Sequence, residues 1–440
     1  MQDLNPSLAP IAAAWRSAAM PGAGLLLVAA TALAASAAPA QPAGAASGAA
    51  AAALDCSPPK QPAGSQEETA WQLFVAAHCS VNTPAGKKLN WETWTEQTCW
   101  LQPGAPGCKS GEEKKRFSHA ISLLATRGKL AHAAPASSAT PQAAGGLPGC
   151  QAMTTASSQT PKSLLPFVPG NLSATPQFCE EVYVNAAEAA FVTAPPGGKP
   201  GVNLTTRTGQ ASYIAATGKP LDFPKEAVEV KADWIAASSL DAASFFNCSD
   251  KKPAGVYVQQ IDGVCYALVG VHISSKLYPN WLWATFEPQS PLTNPNRCKP
   301  SLYSACNDAW GSNPPVSTGQ PTAATKKLSD LMDRFGLAPE FRNYRLVGTQ
   351  TQYDQPIASK GKLGNSFVEF NAQVLPQQAS CITCHGYAAI NVALNPPGSG
   401  NGGPIGKGPS IGKPVYPPVI PGSHWEPVDF SWMLGFMPGK

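Results

Sequence analysis

Val256-Tyr257-Val258-Gln259-Gln260-Ile261-Asp262-Gly263-Val264-Cys265-Tyr266-Ala267-Leu268-Val269-Gly270-Val271-His272-Ile273 is two apolar, β-branched runs joined by Asp-Gly. Asp-Gly suits a two-residue hairpin turn, because both central residues there need positive φ. The stretch therefore predicts an antiparallel hairpin. Working back along the chain, Val228, Val230, Ala232 and Trp234 alternate with Glu229, Lys231 and Asp233, the period of a half-buried strand. These runs predict an α+β chain: a central antiparallel β-sheet with short peripheral helices, long Gly/Pro loops and a distinct C-terminal segment.

The helices are few. Ser65-Gln66-Glu67-Glu68 is a capping box that opens an amphipathic stretch with Trp71, Phe74, Val75 and His78 on one face. A second helix is expected from near Gly111 through Phe117, Ile121 and Leu124, and a third through Leu328, Leu331, Met332 and Phe335, stopped by Gly336. Ala131 to Lys162, Gly311 to Thr325 and Leu394 to Gly422 read as loops rich in small residues, Pro and Gly. Beyond the last loop, the aromatic stretch His424 to Phe436 must fold back onto the body. The expected order is an export signal over residues 1–40, a disordered linker over 41–64, an α+β body over 65–365 and a segment over 366–440 packed on that body.

At 440 residues the chain can bury a sizeable core. Charged residues make up 13%, about half the usual globular share, while 39 glycines and 45 prolines fall short of low-complexity disorder. The net charge of +4 is small and its Lys and Arg residues are scattered, which argues against a nucleic-acid partner. Gly22 to Ala38 is an apolar run followed by small-residue cleavage sites at Ala35-Ser36-Ala37 and Ala38-Pro39-Ala40. The expectation is export to a bacterial periplasm, with membrane attachment only if this segment stays uncleaved. All twelve cysteines lie from Cys56 onward, in the part that would reach an oxidising compartment.

Cys381-Ile382-Thr383-Cys384-His385 is C-x-x-C-H, the attachment signature of c-type haem. Two thiols three residues apart can both reach one porphyrin edge as thioethers, and the next side chain, His385, can then ligate iron. At this chain's composition chance predicts about 0.004 such pentapeptides. A redox dithiol would want a βαβ setting, and structural zinc would want a second C-x-x-C; the sequence has neither. Ten cysteines remain, an even number that suggests disulfides, with Cys99–Cys108 and Cys298–Cys306 favoured by closeness.

Iron in an electron carrier takes a second axial ligand, Met or His. The candidates are Met433 and Met437, which follow His385 by 48 and 52 residues, and His272, which a strand would hold in place. His78 reads as a core imidazole on an apolar helix face, and His132 sits in a low-complexity loop; His119 and His424 complete the set. The Trp-rich blocks around Trp91, Trp94 and Trp100 and around Trp281 and Trp283 read as core aromatics or as walls of a cofactor pocket. Gly398 to Gly403 spells G-x-G-x-x-G and Gly408 to Gly412 spells G-x-S-x-G, but Gly/Pro flanks deny both the strand–helix setting they need.

Several spaced blocks, Ala70 to Ala76, Glu229 to Trp234, Val269 to Ile273, Trp281 to Glu287, Tyr344 to Gln350 and Ser380 to His385, carry a resemblance. Through them the chain resembles a c-type cytochrome, and more narrowly a family of proteobacterial periplasmic monohaem proteins described only as cytochrome c family proteins. The resemblance implies one covalent haem c and export, and does not extend to a methionine where Met433 or Met437 stands. Two main functions and a third follow as expectations. One is an electron-transfer protein with a redox partner protein. The other is a haem-dependent oxidoreductase, peroxidase-like or acting on a small molecule, with an open distal site; a haem-containing sensor is a third. Length favours something beyond simple shuttling, since about 100 residues suffice to wrap one haem.

Overall fold

The structure is a computed structural model that describes residues 54–97, 99, 108, 116, 150–152, 177–237, 247–248, 255–289, 298, 306, 308–313, 316, 321–352, 363–368, 379–386, 388–391 and 425–435. All of these belong to one compact unit, Ala53–Lys440. The export signal, the helix expected near Gly111, the loop Ala131 to Lys162 up to Gly149, and the two decoy motifs lie outside the described residues. So do His119, His132, Met437, His424 and Trp100. Among the described residues no helix is long and apolar enough to cross a membrane.

The quoted hairpin is present. Strands β7 (Val258–Ile261) and β8 (Val264–Ser275) pair antiparallel. Asp262 and Gly263 between them have φ of 49° and 81°, as the tight hairpin turn requires. They sit in an eight-stranded antiparallel sheet. Its other members are β3 (Thr95–Glu96), β4 (Cys150–Ala152), β5 (Gln177–Val184), β6 (Val228–Ala236), β9 (Leu282–Pro288) and β12 (Tyr344–Gln350). The continuous order is β12-β9-β8-β6-β5-β3. Two strands take two partners end to end on one edge: β8 pairs β7 and then β9, and β5 pairs β4 and then β3.

Both faces of the sheet are covered. On one, Val228, Val230, Ala232 and Trp234 of β6 join Leu268, Val271 and Ile273 of β8 and Leu282, Ala284 and Phe286 of β9 against helix α1 (Gln66–His78). The α1 side chains Trp71 and Phe74 meet Phe286 at ring distances of 4.9 and 4.5 Å. The capping box is partly realised, with Ser65 Oγ accepting from the Glu68 N–H at 3.1 Å. His78 is wholly buried, donates from Nδ1 to the Phe74 carbonyl at 2.7 Å and stacks on the Phe74 ring. Helix α4 (Lys326–Arg334) closes this side, and Gly336 at φ 58° lets Leu337 N–H return to the Met332 carbonyl at 3.1 Å. Gly311 is required where it stands: a Cβ there would lie 2.0 Å from Trp71 Nε1, which bonds Asp308.

The opposite face carries helices α2 (Ala186–Thr193) and α3 (Arg207–Thr217), neither foreseen from the sequence, and the C-terminal segment. That segment holds α5 (Cys381–His385), β13 (Ala389–Asn391), β14 (Trp425–Pro427) and α6 (Trp432–Gly435). β13 and β14 pair antiparallel, so the C-terminal aromatic stretch does fold back. The expectation of an unstructured Gly311 to Thr325 is corrected in part. Ser312–Asn313 (β10) and Ala323–Ala324 (β11) form a two-residue ladder, made possible because Asp308 gathers Gly311 N–H and Ser312 Oγ and turns the chain. A separate hairpin, β1 (Ser80–Thr83) with β2 (Gly86–Leu89), follows α1.

Five disulfides close the described part of the chain: Cys56–Cys79, Cys99–Cys108, Cys150–Cys179, Cys248–Cys265 and Cys298–Cys306. Both pairs favoured from closeness are present. All ten cysteines outside the C-x-x-C-H motif are paired, which suits an oxidising, exported setting.

Candidate functional site

The C-x-x-C-H residues form α5, a single turn that puts positions 381 and 384 on the same side. The sheet holds its start: Gln350 at the end of β12 accepts the Ile382 N–H through Oε1 at 3.1 Å and donates through Nε2 to Ser380 Oγ at 3.1 Å. Ile382 is fully buried and anchors the turn among Trp281, Trp283, Ile390 and Val428.

His385 is oriented from behind. Its Nδ1 lies 2.8 Å from the Phe430 carbonyl oxygen. A carbonyl only accepts, so Nδ1 carries the proton and the lone pair is on Nε2. Metal-ligating histidines are held in this way, with one ring nitrogen donating to a backbone carbonyl and the other available as ligand. The ring also packs against Trp283, with centroids 4.4 Å apart.

The carbonyl behind His385 sits in a turn of unusual backbone. Asp429 and Phe430 both have positive φ, 49° and 68°, and Ser431 N–H closes the turn on the Val428 carbonyl at 3.0 Å. Two consecutive non-glycine residues in this region cost of order 1–3 kcal/mol each. Asp429 offsets that cost. Its Oδ1 receives Lys276 Nζ at 2.7 Å and its Oδ2 receives Phe223 N–H at 2.8 Å, both buried. Burial pushes the Asp429 carboxyl up to about 6, with Lys276 opposing the shift. Lys276, just past the end of β8, also donates to the Pro279 carbonyl at 3.0 Å and pairs with Asp222 at 2.9 Å.

A cleft opens beside α5. It has about 560 Å³ of space counting its mouth, and its lining includes Cys381, His385, His272, Met433, Trp283 and Glu229. The enclosed part is about 60 Å³, and the rest of that space includes open solvent. Strand register explains the floor. Lys231, His272 and Thr285 stand side by side across β6, β8 and β9, and two residues further on so do Glu229, Ser274 and Trp283. Val269 of β8 has no cross-strand partner on β6 between the Asp233–Gly270 and Trp234–Leu268 pairs, so Leu268 and then Val271 and Ile273 face α1 while His272 and Ser274 face the cleft. Lys231 is paired with Glu180 on β5, Nζ to Oε2 at 2.5 Å.

Of the residues singled out from sequence, Cys381, His385, His272 and Met433 thus converge on one cleft, although up to 161 positions separate them. Met433 is buried on α6 among Ile390, Val428 and Leu434. Trp283 is a wall of the site, whereas Trp91 belongs to the other face, where Arg116 reaches it and Trp234 while bonding Glu92 and Glu181. Gln350, Asp429, Lys276 and Glu229 were not singled out as site residues from the sequence, because each acts through a contact with a distant segment. The residues present fit a covalently attached porphyrin: Cys381 lines the cleft, the His385 imidazole beside it is held as its Nδ1–H tautomer, and Trp283 walls the cleft. Comparison of the chain with protein-family models, with curated proteins and with solved structures finds no match.

Proposed function

We propose that the chain is a c-type haem protein of the periplasm that transfers electrons through one covalent haem. Cys381 and Cys384 are the thioether anchors, and His385 ligates iron through Nε2. The observation that carries this reading is the His385 Nδ1–Phe430 carbonyl bond, with Cys381 and His385 lining one cleft. When bound, the haem supplies one-electron chemistry. The protein's part is to hold the imidazole, exclude water behind it through Trp283 and Ile382, and set the charge around the cleft.

In this reading His272 would be the second side chain that holds the iron. Nε2 of His385 points away from Phe430 and the turn, and Met433 lies only three residues beyond Phe430, on the helix that continues from that turn. His272 instead stands on β8, the strand held on both sides within the sheet, which suits the precise placement a ligand needs. The partner implied is a redox protein.

Polar lining by Glu229, Lys231 and Ser274 favours a second reading, in which iron stays open on its distal side and His272 moves protons for a bound substrate. Optical spectra of the ferrous protein with and without carbon monoxide separate the two. The carrier reading expects an unchanged low-spin spectrum in wild type and carbon monoxide binding only after His272→Ala. Immediate binding in wild type favours the enzyme, and a sulfur-to-iron charge-transfer band lost in Met433→Ala overturns the His272 assignment.

A further inference from the structure

Glu188 is an acid of this face that the site described above does not use, and its surroundings are unusual. It is fully buried, and both carboxyl oxygens lack a hydrogen-bond partner. The sequence Asn185-Ala186-Ala187-Glu188 would normally turn its acid outward as the N3 member of a capping box, bonding back to the N-cap N–H. Here half of the box forms: Asn185 Oδ1 accepts the Glu188 N–H at 3.1 Å. The other half is pre-empted, because the Asn185 N–H is already given to the Val228 carbonyl at 3.0 Å. The Glu188 side chain is left inside.

Its charged neighbours are two acids of the site. Glu229 of β6 lines the cleft and pairs in register with Val184, the last residue of β5 before α2 begins. Asp429 holds the turn behind His385 and takes the Phe223 N–H, while the Phe223 ring packs 4.9 Å from Phe191 of α2. Beyond Asp429 stand Lys276 and Asp222, and Arg207 opens α3, whose leading segment bonds α2 through Leu204 N–H to the Val192 carbonyl. Burial, with Glu229 and Asp429 adding repulsion, raises the Glu188 carboxyl well above the usual carboxylate range. Its place in the fold favours the protonated acid, and one of its charged neighbours, Glu229, lines the cleft.

Resting on the haem reading, we propose that Glu188 is a proton-binding site coupled to the oxidation state of the cofactor in the adjoining cleft. Passing one electron from the iron to the redox partner raises the positive charge in the cleft by one. The Glu188 O–H bond then breaks, its electron pair staying on the carboxylate and its proton leaving to solvent. Return of an electron from a donor partner restores the O–H bond with a proton from solvent, so one electron and one proton move together.

The test is spectropotentiometric titration of the haem-loaded protein at a series of pH values, in wild type and Glu188→Gln. In wild type each tenfold fall in proton activity lowers the potential by as much as about 59 mV, the one-electron equivalent of a tenfold change, across the window in which Glu188 titrates. In Glu188→Gln the same window is flat. Infrared difference spectra give a second readout: a protonated carboxyl band in the ferrous protein that is lost on oxidation and absent from Glu188→Gln. If that variant fails to fold, Glu229→Gln removes one facing charge and moves the sloping window to lower pH. An identical slope in wild type and Glu188→Gln, or an unmoved window in Glu229→Gln, overturns the assignment while leaving the haem reading intact. A purified protein carrying no haem at all brings down the haem reading first and this one with it.

Discussion

Cutting the Lys276–Asp429 pair should destabilise the protein strongly at pH 8 and weakly at pH 5. The two side chains are 8% and 7% exposed with Nζ and Oδ1 2.7 Å apart, so this is a buried pair. Removing one partner of such a pair costs about 3–5 kcal/mol when the survivor is left charged and alone. In Lys276→Met the survivor is Asp429, which keeps the Phe223 N–H but loses its cation. The pH sign follows from the direction of its shift. The folded carboxyl, at about 6, lies above its ordinary value of 3.8, so the folded state binds more protons between those values and stability falls as pH rises through that window. Without Lys276 the folded carboxyl rises further, and the fall continues to higher pH. At pH 5 Asp429 is largely protonated in both proteins and the variant should lose only about 1 kcal/mol, from the Pro279 carbonyl and Asp222 contacts. At pH 8 it should lose about 3 kcal/mol. Urea unfolding followed by far-ultraviolet circular dichroism at the two pH values measures both. A loss under about 0.5 kcal/mol at pH 8, or equal losses at the two pH values, would refute the claim that this pair braces the turn behind His385.

Further outcomes follow from other sites. His78, held neutral by burial down to about 3 against an ordinary 6.5, makes the protein lose stability as pH falls below 6.5, by about 5 kcal/mol on reaching pH 3. His78→Phe should remove that acid limb while remaining near wild type at pH 7, and an unchanged acid limb in denaturant titrations would contradict the assignment. Gly311→Ala forces a methyl to 2.0 Å from Trp71 Nε1 and should cost about 1–3 kcal/mol or more, read as a lower thermal midpoint; wild-type stability would mean the Trp71–Asp308 contact is not fixed. Gln350→Ala removes the acceptor of the Ile382 N–H and should cost about 1–3 kcal/mol with reduced haem yield on expression, whereas full yield and stability would show that α5 does not depend on β12.

What the sequence made legible was whatever is local. The Asp262-Gly263 turn, the alternation in β6 and the Gly336 stop each need only their own neighbours, and each stands where its pattern put it. Strands β9 and β12 escaped a strand assignment because Leu282–Pro288 and Tyr344–Gln350 are buried almost throughout and show no alternation, the mark of strands covered on both faces. Helix α2 was hidden because Ala186–Thr193 is apolar nearly all round, and α3 is short and weakly patterned. In the candidate site, Cys381, Cys384 and His385 were legible as a motif, and His272 as a polar residue on an apolar strand. Asp429, Lys276 and Gln350 were not, since each matters only once β8, β12 and the C-terminal turn are brought together. Glu188 was not singled out from the sequence, and it is the prior use of the Asn185 N–H that leaves its side chain inside.

The most direct test of the central claim is the covalent haem content of the protein expressed with a c-type maturation system and purified from the periplasm. The account predicts one haem per chain by pyridine haemochrome absorbance, retained through denaturing electrophoresis, and absent when Cys381 and Cys384 are both replaced by alanine. Wild-type protein that folds with its disulfides formed yet carries no covalent haem would contradict it.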